Sequence, residues 1–80
     1  MHIGLLIKTY FESLPRSYTV SRLAGQLNCN RRNIYDIFGR PTVDVELLWR
    51  ISKALDHNFF EDLSRSYEES RQTEEDICRD

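Results

Sequence analysis

Apolar residues recur with the period of an α-helix in the first segment of the chain. They stand at positions 3, 6, 7, 10, 11 and 14, as Ile3, Leu6, Ile7, Tyr10, Phe11 and Leu14. Positions three and four residues apart share one face of a helix, so this segment is predicted to be a helix packed on a core along one side. Pro15 is predicted to end it, because proline cannot continue a helix.

Two shorter apolar patterns follow, separated by a break at Asn28. Thr19 is a good N-cap for a second helix, whose inward residues are predicted to be Val20, Leu23, Ala24 and Leu27. Asn28 tolerates the left-handed backbone conformation that stops one helix and turns toward the next. Asn30 then caps a third helix of about residues 31–38, preceded by Cys29, which is predicted to be a small buried apolar residue.

The third helix is predicted to place Ile34, Ile37 and Phe38 inward and to end at Gly39 and Pro41. Asp44 caps a fourth helix that extends to about Asp56. Its inward residues are predicted to be Leu47, Leu48, Ile51, Ala54 and Leu55. The pattern up to this point predicts an all-α chain.

Asn58 can start a fifth helix, anchored by Phe59, Phe60, Leu63 and Tyr67. Beyond Tyr67 only Ile77 and Cys78 are apolar, so residues 68–80 cannot bury enough surface to offset their ordering entropy. They are predicted to be an acidic tail, either a frayed helix or disordered, in which Cys78 is an exposed thiol. Residues 1–67 are the predicted domain.

The net charge of −2 conceals a division along the chain. Residues 1–60 carry eight Lys and Arg against five Asp and Glu, which is +3, whereas residues 61–80 carry three against eight, which is −5. A basic body with an acidic appendage is compatible with binding to nucleic acid.

The sequence lacks the residues that several classes of function require. There is no glycine-rich phosphate loop and no nucleophile with a plausible base, so we expect neither an enzyme nor a cofactor. The two cysteines and two histidines have no metal-ligand spacing, and no metal site is predicted. Without an apolar run of membrane-spanning length or a signal peptide, a cytoplasmic location is expected.

Two short helices joined at Asn28, with Ala24 where they cross, are typical of a helix-turn-helix. The segment "TVSRLAGQLNCNRRNIYDIF" resembles the helix-turn-helix of the lambda-repressor-like, Cro-type regulators of bacteria and phages, and "VELLWRISKALDHNFFEDL" resembles their next two helices. Val20 stands where many members have a phosphate-binding glutamine, and Asn28 where the turn usually has glycine. The resemblance implies a compact five-helix lambda-repressor-like domain that binds an operator in double-stranded DNA, most commonly as a homodimer repressor.

The resemblance also implies which residues meet DNA, with the third helix lying in the major groove. The residues expected to contact bases are Arg31, Arg32, Asn33, Tyr35 and Asp36. The residues expected to contact phosphates are Thr19, Arg22, Asn30, Arg40 and Thr42. Among the base candidates Arg32 comes first, because the helical wheel places it opposite the core near the start of the helix.

Val45 and Trp49 fall on the side of the fourth helix away from the core. Either the C-terminal segment covers them or they form a dimer contact. A second functional hypothesis stays open beside DNA binding. The same scaffold can serve as an antitoxin-like or adaptor module that binds another protein, with the acidic tail as its recognition segment.

Overall fold

Every helix of this protein begins at a side chain that caps it. The structure, a computed structural model, describes the backbone of residues 2–78 and the side chains of residues 2–71. Within that range the chain is all-helical, as predicted, and forms five helices. They are α1 (Ile3–Glu12), α2 (Val20–Gln26), α3 (Arg31–Gly39), α4 (Val45–Leu55) and α5 (Phe59–Cys78).

The four predicted caps are confirmed. Thr19, Asn30 and Asp44 each accept a hydrogen bond from the backbone N–H three residues later, at 3.2, 2.9 and 2.7 Å. Asn58 accepts from the N–H groups of Phe60 and Glu61. The sequence did not predict the fifth cap, which is His2, whose Nδ1 accepts from the N–H of Leu5 at 2.9 Å. These bonds pair N–H groups that a helix start otherwise leaves without partners.

One core holds all five helices together. Ten of the described side chains are buried, all of them apolar, and the largest fully buried ones come one from each helix. Those five are Ile7, Leu23, Ile34, Ile51 and Phe59. Since no helix can bury its apolar face alone, the five are expected to fold as one cooperative unit.

Among the residues that the structure describes, two that are not glycine adopt the left-handed conformation, and both stop a helix. Asn28 has φ of 57°, as predicted, and lets the Cys29 N–H reach the carbonyl of Ala24. Asp56 has φ of 52° and closes α4, since the His57 N–H then donates to the carbonyl of Ser52. Aspartate is among the few residues that adopt this conformation readily.

Gly4 lies at a close approach between α1 and the end of α3. The first N–H groups of α1 donate to the chain that leaves α3, Ile3 to the carbonyl of Pro41 and Gly4 to that of Arg40, both at 2.9 Å. A Cβ at Gly4 would lie 2.6 Å from the carbonyl oxygen of Phe38 and nearer still to two other carbonyl oxygens. Only glycine fits here, a requirement that the helical pattern of the sequence does not reveal.

Three sequence predictions need correction. The first helix ends at Glu12 rather than Leu14. The N–H groups of Ser13 and Leu14 donate to carbonyls three residues earlier instead of four, so the helix ends in a tight turn before Pro15. Tyr67 is 63% exposed and is not an anchor of α5. Cys29 is half-buried at the edge of the core rather than buried.

The end of α5 extends beyond the predicted domain boundary. The backbone stays helical through Cys78, so the structure has a helix where the sequence left a frayed helix and disorder as alternatives. The predicted exposed thiol of Cys78 lies outside the described side chains. No helix in the described range has the length and apolar character needed to cross a membrane.

We predict that Gly4→Ala destabilises the protein by about 3 kcal/mol, because the added methyl group meets backbone carbonyls that cannot move aside cheaply. Gly25→Ala is the matched control, since a Cβ at Gly25 has nothing within 4 Å. That change should raise the free energy of unfolding by up to about 1 kcal/mol, because alanine favours a helix more than glycine does. Urea denaturation of both variants checks this, and equal stability of the two would contradict the assigned role of Gly4.

Candidate nucleic-acid interface

The outer face of α3 carries the five residues expected to contact bases. Arg31, Arg32, Asn33, Tyr35 and Asp36 are all exposed, whereas Ile34 and Ile37 on the opposite side are buried. The helical period places Arg32 and Asp36 opposite the buried residues, with Asn33 and Tyr35 to either side. Arg31 stands three residues before Ile34 and is exposed because it is the first residue of the helix. The exposed surface of α3 therefore holds two guanidinium groups, an amide, a phenol and a carboxylate.

Both ends of α3 are held by other parts of the molecule. At the start, Asn30 caps the helix through the N–H of Asn33. At the end, the first turn of α1 binds the carbonyls of Arg40 and Pro41. On the outer face, the Tyr35 ring lies edge-on to the ring of Phe38, with centroids 6.3 Å apart. The contacts at both ends therefore hold α3, and with it the exposed face, in a fixed position.

The five predicted phosphate contacts are all exposed, around the starts of α2 and α3 and in the segment after α3. They are Thr19, Arg22, Asn30, Arg40 and Thr42. Thr19 and Asn30 use a side-chain oxygen to cap a helix, so these two side chains also have a structural role. Arg22 lies over the ring of Tyr18, with its guanidinium carbon 5.2 Å from the ring centroid.

Arg50 joins the site, although the sequence did not single it out. Its Nη2 donates to the carbonyl of Leu27 at 2.9 Å, which ties α4 to the end of α2. Arg50 also lines a polar cleft together with Asn33 and Arg40. The structure thus brings one base candidate, Asn33, and one phosphate candidate, Arg40, beside a second arginine. A helical wheel of α4 shows Arg50 only as an exposed position.

Tyr18 forms a polar junction behind the start of α2. Its hydroxyl donates to Oε1 of Gln26 in a short hydrogen bond and lies 3.4 Å from the carbonyl oxygen of Ala54. Burial raises the pKa of the Tyr18 phenol above its usual value of 10, and the nearby Arg22 guanidinium offsets part of that rise. The hydroxyl therefore remains a donor well into alkaline solution.

A second exposed face lies on α4. The sequence predicted Val45 and Trp49 to lie off the core, and they are 69% and 56% exposed. The Trp49 ring meets Phe60 of α5 at one edge, with centroids 6.1 Å apart, and Lys53 lies 5.8 Å from its centroid. The sequence left two alternatives for this face, coverage by the C-terminal segment or a dimer contact. In the described side chains, the coverage consists of this contact between Phe60 and one edge of Trp49.

His57 is half-buried between α4 and α5. Its ring stacks on Tyr10 with centroids 4.1 Å apart, and its Nε2 lies 2.6 Å from a carboxylate oxygen of Asp62. These contacts join α1 to the start of α5. Among the described residues, no three His, Cys, Asp or Glu side chains are grouped to hold a metal ion.

We predict that Tyr18→Phe lowers the free energy of unfolding at pH 8 by about 1 kcal/mol, through loss of the hydrogen bond to Gln26. The difference from the native protein should shrink as the pH rises above 10. A raised pKa stabilises the folded state fully below pH 10, and this contribution is lost as the pH passes through the raised pKa. Urea denaturation from pH 8 to 11 measures this, with Tyr35→Phe on the exposed face of α3 as the control. A constant difference over that range would contradict the prediction.

Comparison with known proteins identifies no relative of this chain. Neither a protein-family model nor a curated protein nor a solved structure matches the chain. The resemblance to lambda-repressor-like regulators therefore stays a prediction that rests on the residues quoted above.

Proposed function

We propose that this protein is a small cytoplasmic transcriptional regulator, a repressor that binds an operator in double-stranded DNA with sequence preference. In this proposal α2 and α3 are the helix-turn-helix of a lambda-repressor-like domain, and α3 lies in the major groove. The observation that carries the proposal is the exposed face of α3. It offers Arg31, Arg32, Asn33 and Asp36 on a helix whose reverse side is buried.

These residue types fit the edges of base pairs. An arginine can donate two hydrogen bonds to O6 and N7 of guanine, and an asparagine can bind N6 and N7 of adenine. Arg32 is the first candidate, because it lies on the exposed face one residue into α3. Asp36 stands four residues later on the same face, where its carboxylate can orient the Arg32 guanidinium or accept from a cytosine amino group.

The phosphate contacts are assigned to the residues around this face. Arg22 and Arg40 flank α3 from α2 and from the segment that follows α3, and both side chains are exposed. The +3 charge of residues 1–60 favours approach to a polyanion. These contacts are expected to supply affinity, whereas the face of α3 supplies preference.

The second hypothesis, an antitoxin-like or adaptor module, is favoured by one observation. The face of α4 exposes a valine and a tryptophan, and exposed apolar patches mark binding surfaces for other proteins. The two functions differ in the surface they use.

Selection of bound duplexes from a random library decides between the two functions. Recovery of a palindromic site supports the proposed function, and no enrichment of any duplex at low salt overturns it.

We predict that Arg32→Ala weakens binding to the selected duplex by about 1 to 3 kcal/mol and affects binding to random DNA much less, because one base contact per half-site is lost. Arg22→Ala and Arg40→Ala should weaken binding to all duplexes alike and reduce the salt dependence by about one counterion per contact. Titrations of selected and random duplexes at several salt concentrations measure both effects.

Lys8→Ala is the control for this comparison, because it removes an exposed positive charge from α1 and leaves α3 unchanged. It should have little effect on either duplex. Equal losses on selected and random DNA for Arg32→Ala would show that Arg32 does not read a base. Arg31 and Asn33 would then be the next candidates.

A further inference from the structure

The outer face of α4 has an apolar stripe. Val45, Trp49 and Lys53 follow one another at intervals of four residues and lie on the side of the helix away from the buried Ile51. The Val45 and Trp49 side chains are 69% and 56% exposed, and Lys53 lies above the Trp49 ring. Phe60 extends the stripe sideways onto α5 through its contact with Trp49. We name these four residues the α4 face.

Two opposite charges flank Trp49 along the helix. Glu46 lies three residues before it, in the first turn of α4, and Lys53 lies four residues after it, in the last turn. At a rise of about 1.5 Å per residue, each is roughly 5 Å from Trp49 along the axis. With 100° per residue, Glu46 and Lys53 lie on the same side of the stripe, whereas Ser52 lies on the other side.

A two-fold axis perpendicular to α4 beside Trp49 would pair this face with itself. The axis sets two copies of α4 antiparallel and exchanges their ends, so that Glu46 of each copy faces Lys53 of the other. The same operation keeps the two Glu46–Lys53 pairs on one side of the interface. The apolar and charged positions of the α4 face are therefore self-complementary.

We propose that the α4 face binds a second copy of this chain, with the two α4 helices antiparallel and Trp49 at the centre of the interface. The charge arrangement decides for a second copy over an unrelated partner, because one symmetry operation satisfies both charges and covers the exposed apolar residues of both copies. The inference does not rest on DNA binding, and the dimer can be tested without DNA. It is compatible with a two-fold operator.

An exchange of charges tests the proposal. Glu46→Lys and Lys53→Glu each place like charges face to face twice, so each variant alone should raise the dimer dissociation constant about tenfold or more. An equimolar mixture of the two variants should dimerise again, because each interface then pairs lysines of one chain with glutamates of the other. Sedimentation velocity over a range of concentrations measures all three samples.

Matched controls come from α1, where Lys8 and Glu12 are exposed. Lys8→Glu and Glu12→Lys change the net charge by the same amounts and should leave the dimer of the native protein unchanged, alone and mixed. Trp49 is the chain's single tryptophan, and its fluorescence should shift to shorter wavelength as the native protein dimerises. Circular dichroism shows whether each variant is folded.

Val45→Lys provides a test that does not depend on the folding of the exchange variants. The Val45 side chain is largely exposed, so the substitution should leave the fold intact while it places a charge against the second copy's α4. This variant should be monomeric where the native protein is dimeric. A native protein that stays monomeric at millimolar concentration overturns the proposal. So does a dimer that is indifferent to both single charge reversals, or a mixture that fails to recover.

Discussion

The contact between the start of α1 and the end of α3 is the constraint on which the rest of the arrangement depends. Gly4 lets the backbone of α1 approach the end of α3 and the segment that follows it, and the N–H groups of Ile3 and Gly4 donate to the carbonyls of Pro41 and Arg40. The first N–H groups of α1, which a helix start leaves without partners inside the helix, are thus paired with carbonyls of the segment after α3. A side chain at position 4 would separate them and tilt α3 relative to the core.

The placement of α3 links this contact to the proposed function. Ile34 and Ile37 fill the core beside Ile7 and Leu23, so the inner side of α3 is fixed by apolar packing. Its outer side therefore faces the solvent, where Arg31, Arg32 and Asp36 are exposed. A helix held at both ends and along its back loses little conformational entropy when it binds a partner, a property that favours recognition of a rigid surface such as a DNA groove.

The two exposed faces of the molecule differ in chemistry. The α3 face is charged and polar and is suited to hydrogen bonds with bases and phosphates. The α4 face combines Val45, Trp49 and Phe60 with one charge at each end of the helix, which suits a protein surface. Arg50 lies between them, since it lines the cleft with Asn33 and Arg40 while it holds the end of α2.

The sequence by itself determined the features that depend on neighbours within about four residues. The caps at Thr19, Asn30, Asp44 and Asn58 and the turn at Asn28 follow from local hydrogen bonds and backbone preference, and the helical period separated inward from outward residues on α3 and α4. Only the tertiary structure decided which distant groups meet. The demand for glycine at position 4, the bond from Arg50 to Leu27 and the junction of Tyr18 with Ala54 each join groups 23 or more residues apart. No local pattern encodes such contacts, because they depend on the relative positions of whole helices, which the shared core sets.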